Sequence, residues 1–236
     1  MADDLTEIHE RVRWCRNQIL FMGAEIELYM LNGAYLVSSE VDVGGRTHLS
    51  VQLGKPIPAS IRITAGSVAH ELRATLDSLA CVLAARNGQT ADNVYFPVSK
   101  SAAIFAADGQ KKITKLSVAD KATIASLNPY AEGNPMLFAL HETDLMRKHR
   151  RLVLTSAGVS HFALTGGTIV SPIIKFEGPL THVKQTIMSY EGGFNMQGNL
   201  AIDVSFAEPK FLVGRPLIAV LNDFANLVQA IVELFD

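Results

Sequence analysis

Two sets of polar residues stand at helical spacing in otherwise apolar stretches: His70, Arg73 and Asp77 in the first, His141, Asp144 and Lys148 in the second. Together they offer two imidazoles, two carboxylates and two permanent cations. Imidazole moves protons near neutral pH, and Arg and Lys hold anionic oxygens. The mixture therefore suits acid–base chemistry on a phosphodiester (RNA or a nucleotide), or capture of a small anion. These six residues are the candidate catalytic set. A metal prefers neutral His and carboxylate ligands, and the two cations repel it, so no metal site is expected. The alternative reading is structural. Buried polar side chains must satisfy one another, and such a network fixes how helices dock.

The first set lies in Gly66 to Asn87, which organises the chain. Val68, Leu72, Leu76, Leu79 and Leu83 recur at spacings of three and four, the period of a helix with one buried face. Gly88 suits a left-handed C-terminal cap. A helical projection places Ser67, Glu71, Thr75 and Ser78 on one side, expected to face solvent. His70, Arg73, Asp77 and Cys81 fall on a third side that lacks the Lys and Glu of a solvated face, so a second element is expected to cover it. Arg73 and Asp77, four apart, can pair within the helix. The second set lies in the helix opened by Asn134-Pro135, with Asn as cap and Pro at the first helical position, and expected to reach about Leu154. If the two helices pack antiparallel, the polar sets face each other. The basic run Arg147 to Arg151 points in several directions on this helix and forms no flat patch.

Around these helices the chain reads as α+β. Asp4 to Leu31 is an amphipathic helix with Leu5, Ile8, Val12, Cys15, Ile19, Met22 and Ile26 on one stripe, ended by Asn32-Gly33. Tyr35 to Val43 and Thr47 to Leu53 alternate as strands about Gly44-Gly45, a two-residue hairpin signal. Ser60 to Ala65 leads into the central helix or forms its first turn. Asn93 to Val98 is a short extended segment. Lys100 to Gly109 is a loop or short helix, and Ser117 caps a short helix from Val118 to Leu127. Phe162 to Leu164, Thr168 to Phe176, His182 to Tyr190 and Leu200 to Phe206 have strand character, with Pro172 favouring an edge or a bulge. A final helix runs from Gly214-Arg215-Pro216 to Phe235. With no internal repeat and no linker composition, the expectation for 1–236 is a single α+β domain. In it a helical bundle carries antiparallel strands segregated to one side.

The composition narrows the function. The chain has 236 residues, 48% hydrophobic and 19% charged, with a formal net charge of -2, which carries no DNA-binding signature. Its two cysteines form neither a disulfide framework nor a zinc pattern, which points to a reducing, cytoplasmic setting. No signal peptide is evident, and no apolar run approaches the roughly 18 residues of a membrane span. The sequence contains no phosphate-binding Gly loop, GxSxG, HExxH or DxDxDG, and the residues name no cofactor. Ser156 and His161 lie close in sequence without a nearby acid, so they make no triad signal. The apolar faces of the first and last helices make a homodimer a candidate assembly, alongside a small anion or RNA as partner.

The combination of AHELRATLDSLACVLA with a later DLMRKHRRL resembles a set of uncharacterised bacterial proteins. Their central helix reads H-N-L-R-S-A-L-D-H-L and their later helix carries D-K-H-R. His70, Leu72, Arg73, Leu76, Asp77 and Leu79 match the first motif, and Lys148, His149 and Arg150 the second, with Asp144 offset. Phe96-Pro97 and Leu127-Asn128-Pro129-Tyr130 are also similar, so the resemblance spans about Ala65 to Leu152. Ser78 stands where the second His of that set belongs, so a role needing that His does not carry over. The resemblance implies kinship and no activity. The HEPN ribonucleases offer an analogy of helical architecture only, because their Arg-to-His spacing is absent here.

Overall fold

The computed structural model describes residues 5–149, 155–165, 170–174, 182–191 and 197–236, and side chains for 5–146, 182–191 and 203–236. The chain is α+β, with helices and antiparallel sheets segregated. It divides into two compact units, Met1–Met22 with Arg62–Val153 and Ile218–Asp236, and Gly23–Ile61 with Leu154–Leu217.

The first unit is helical. Helix α1, Thr6–Leu31, whose residues from Gly23 on fall in the second unit, buries Ile8, Val12, Cys15, Ile19 and Met22 of the expected stripe, with Leu5 buried just before it, whereas Ile26 is half-buried. After the hairpin strands of the second unit comes α2, Ala59–Arg86, with Val68, Leu72, Leu76, Leu79 and Leu83 fully buried. It starts two turns before Gly66, so Ser60 to Ala65 is helical, one of the two settings expected for that segment. Pro58 restricts only the residue before it, and Ile61 and Ala65 continue the buried stripe backwards at the same spacing. Gly88, at φ +69°, ends the helix as expected. The Gly88 N–H bonds the Ala85 carbonyl and the Gln89 N–H the Ala84 carbonyl, each at 2.9 Å, a Schellman cap.

Residues 100–113, expected as a loop or short helix, are a succession of short helical turns that begins with α3, Ala102–Ile104, capped by Ser101. Helix α4, Val118–Ser126, has the expected cap, Ser117 Oγ accepting from the Asp120 N–H at 3.0 Å. Helix α5 spans Pro135–His149, with Asn134 Oδ1 accepting from the Leu137 N–H at 3.1 Å. Its expected end near Leu154 lies outside the described residues.

The second unit carries the strands β1 (Tyr35–Val41), β2 (Arg46–Leu53), β3 (Thr155–Thr165), β4 (Val170–Ile174), β5 (Gln185–Glu191) and β6 (Gln197–Phe206). They form a four-stranded antiparallel sheet in the order β1-β2-β5-β4 and a separate β3-β6 pair. Pro172 lies on the edge strand β4, where the register slips between Val170 and Ile173, so both of its expected settings hold. The β1–β2 turn departs from the two-residue expectation. Asp42 N–H bonds the Arg46 carbonyl at 2.9 Å and Gly45 sits at φ +79°, giving a three-residue loop. Asp42 drives it: its Oδ1 accepts from the N–H groups of Gly44 and Arg46, at 2.8 and 2.9 Å.

The last helix, α6, spans Leu217–Val232. With the turn that follows, Leu217–Phe235 is long and apolar enough to cross a membrane, a length the sequence reading did not credit. Leu217, Val220, Leu221, Phe224, Val228 and Ile231 are nevertheless buried, which is the pattern of a core helix.

Candidate functional site

The two polar helix faces meet within the first unit. His70 Nδ1–H donates to Asp144 Oδ1 at 2.7 Å, from α2 to α5. Arg73 Nε–H donates to His141 Nδ1 at 3.3 Å along the same contact. One turn further along α2, an Arg73 terminal nitrogen donates to Asp77 Oδ1 at 2.8 Å, the i, i+4 pair read from the sequence. The structure thus brings together His70, Arg73, Asp77, His141 and Asp144. The side chain of Lys148 lies outside the described residues.

A further participant escaped the sequence reading. The extended segment begins at Val94, since Asn93 sits in a turn at φ +59°; Val94 to Val98 lies along the same face of α2, and both backbone groups of Phe96 are held there. The other Arg73 terminal nitrogen donates to the Phe96 carbonyl at 2.8 Å, and the Phe96 N–H donates to Asp77 Oδ1 at 2.9 Å. One turn on, Cys81 Sγ approaches the Val94 carbonyl at 3.8 Å. A backbone buried away from a sheet must find side-chain partners, and Arg73 and Asp77 supply them as a neighbouring strand would. The alternation of Val94, Phe96 and Val98, all buried, was the available signal.

Burial differs across the cluster. The Arg73 and Asp144 side chains are 7% and 2% exposed, whereas Asp77 and His70 retain 33% and 37%. Burial pushes the Cys81 thiol up, with the Asp77 charge adding to it. The partners also fix proton positions. Asp144 places the His70 proton on Nδ1, and the Arg73 donor requires an unprotonated Nδ1 on His141. A carboxylate-held imidazole is what a general base needs. Arg73, by contrast, has a partner for Nε and for both terminal nitrogens.

The opposite expectation, that Ser67, Glu71, Thr75 and Ser78 form a solvent face, fails in part. Thr75 is fully buried, and its hydroxyl donates to the Glu71 carbonyl at 2.7 Å. Arg11 of α1 donates to Glu71 Oε1 at 2.6 Å and also to Ser78 Oγ. Helix α1 covers this side, and its charge is supplied from across the contact.

His141 also lines a cavity of about 240 Å³, with Lys100, Lys112, Glu142, Phe138 and Leu145 among the other walls. Its walls carry two cations, Lys100 and Lys112, and two carboxylates, Asp108 and Glu142. Among the described residues, no group of three or more His, Cys, Asp or Glu is placed to hold a metal ion.

No family model, curated protein or solved structure matches the chain. The chemistry of the site therefore has to be argued from its own geometry.

A second constellation lies in the other unit. His48 Nε2 is 3.0 Å from Asp42 Oδ2 and its Nδ1 is 2.8 Å from Ser189 Oγ. An acid, an imidazole and a hydroxyl in series are the wiring of a nucleophile relay. Here, though, His48 and Ser189 are register partners on adjacent strands, and Asp42 is the residue that caps the β1–β2 turn. Backbone donors at that turn, with His48 beside it, hold the Asp42 carboxyl below its usual range. The series reads as a cross-strand polar ladder that fixes register. No sequence signal could have found it, because Ser189 follows His48 by 141 positions.

Proposed function

We propose that the chain is a binding or interaction protein in which the His70–Arg73–Asp77–His141–Asp144 cluster is a structural network docking α5 and the 94–98 segment onto α2. The observation that carries this reading is the engagement of Arg73. Its guanidinium bonds Asp77, the Phe96 carbonyl and His141 in a site almost closed to water, so it does not present its charge to a ligand. Two free cysteines, one of them buried, fit the reducing, cytoplasmic setting that belongs to the same proposal. The test is the stability of His70→Ala alongside a screen of phosphate, nucleotides and RNA on the wild type. A loss on the order of 1–3 kcal/mol in the variant, with no ligand raising the wild-type melting point, supports it. Unchanged stability in His70→Ala overturns it.

One observation favours a second reading, a phosphodiester-directed enzyme or small-anion binder. The cavity beside His141 has Lys100 and Lys112 on its walls, with Asp108 and Glu142 also there, so an anion would have to sit at the lysines, beside an imidazole whose Nδ1 is held by Arg73. That reading requires a phosphate-bearing ligand to raise the wild-type melting point and to lose the effect in Lys112→Ala.

A further inference from the structure

Helix α1 carries two stripes, and the core accounts for one. Trp14, Asn17, Phe21, Ala24, Leu28 and Leu31 recur at alternating spacings of three and four, and all six are exposed. Leu20 flanks them. The exposures are large for apolar side chains: 72% for Leu20, 67% for Phe21 and 84% for Leu31. A helix that has already buried one face should be polar on the other. A second apolar seam at heptad spacing is instead what a coiled-coil contact requires.

The charges beside the seam say what covers it. The exposed cations Arg13 and Arg16 belong to the first half of the helix and the exposed Glu27 to the second. Arg13 bonds Glu10 one turn earlier, which holds its guanidinium at the edge of the seam. A copy of the same helix running the opposite way complements this pattern. Seven residues separate Leu20 from Arg13 in one direction and from Glu27 in the other. Placing Leu20 against Leu20 therefore sets Arg13 beside Glu27 of the second copy, twice by symmetry. The same register sets Trp14 opposite the half-buried Ile26. A parallel pairing would put Arg13 beside Arg13 and forfeit the match. An anionic membrane is a poor occupant, because α1 contains no Lys and its second half is acidic.

We propose that this chain forms a two-fold symmetric homodimer through an antiparallel pairing of α1 centred on Leu20, with the exposed Trp14 and Phe21 adding apolar surface beside it. The contact is isologous and closes on itself, so it makes a dimer and not a filament. The contact involves no residue of the polar cluster.

The test is solution mass by sedimentation velocity at micromolar concentration. Wild type is expected as a dimer, and Leu20→Glu combined with Phe21→Glu as a monomer, a twofold drop in mass with an unchanged circular dichroism spectrum. Both side chains are exposed in the single chain, so the substitutions leave its fold intact; Leu20→Ser is the milder variant should the double one not fold. Arg13→Glu and Glu27→Arg should each weaken the dimer roughly tenfold or more, and the two together should restore it. A monomeric wild type overturns the proposal, as does a dimer that survives Leu20→Glu with Phe21→Glu. Single charge reversals that weaken the dimer without mutual rescue overturn the antiparallel register.

Discussion

Replacing Asp77 with Ala removes one acceptor that serves two donors. Its Oδ1 takes bonds from Arg73 at 2.8 Å and from the Phe96 N–H at 2.9 Å. Arg73 is 7% exposed and cannot lose its charge, so the variant leaves a buried guanidinium without its carboxylate. Breaking a buried ion pair from one side costs about 3–5 kcal/mol. Asp77 itself is 33% exposed, so water can reach its place and solvate part of what is left. That discounts the loss to about 2–3 kcal/mol. For a chain of this length the drop in melting temperature is about 5–10 °C. Asp77→Asn keeps an oxygen acceptor for both donors but also takes the counter-charge from Arg73, so its cost is smaller than that of Asp77→Ala, about 1–2 kcal/mol. Calorimetry gives the ordering of the three proteins. Hydrogen exchange at the Phe96 amide gives the mechanism, because this proton should lose protection in Asp77→Ala and keep most of it in Asp77→Asn. Wild-type melting of Asp77→Ala together with a still-protected Phe96 amide would refute the reasoning, since the clamp would then hold nothing.

Two further substitutions and one titration probe the frame around the cluster. Gly88→Ala places a Cβ in open space at φ +69°, so its effect is backbone strain alone, a loss of about 1 kcal/mol measurable by thermal melting. The thiol of Cys15 is pushed up to about 12 from an ordinary 9.0, mainly by burial and then by Glu71, so iodoacetamide should leave it unmodified until the protein unfolds. Since the folded value lies above the unfolded one, the thiol's contribution to stability is complete below pH 9.0 and is lost as pH rises towards 12. Cys15→Ala should flatten the alkaline arm of the stability profile, and an identical arm in the variant would count against burial as its cause.

Periodic patterns in the sequence are local, and what they predicted is local. The stripe of α2 and most of that of α1 were legible because each residue's neighbours lie three or four positions away. The same holds for the Ser117 and Asn134 caps and for the Gly88 terminus. The start of α2 stayed open between a lead-in and a first helical turn because Ile61, Ile63 and Thr64 are β-branched and weaken a helix reading, while the buried stripe through Ile61 and Ala65 decides it for the helix. The order of the sheet was out of reach. Strand β2 pairs with β5, and Thr47 meets Tyr190 across most of the chain. Only Pro172 carried a positional constraint strong enough to place its strand at an edge.

The candidate site divides along the same line. Arg73 and Asp77 were legible as a pair because they lie one turn apart, and His141 and Asp144 as one face for the same reason. That the two faces meet needed one assumption, that the helices run side by side with these faces inward. The absence of Lys and Glu from the His70 face supported it. Phe96 was invisible because the groups that bind Arg73 and Asp77 are its backbone N–H and C=O, which every residue but proline also has. Side-chain chemistry in a sequence shows which groups seek partners; it does not show that a partner is main chain. That distinction carries the functional argument. An Arg and an Asp committed to a peptide backbone are building the fold, and the same two residues would have read as an anion site had the 94–98 segment lain elsewhere.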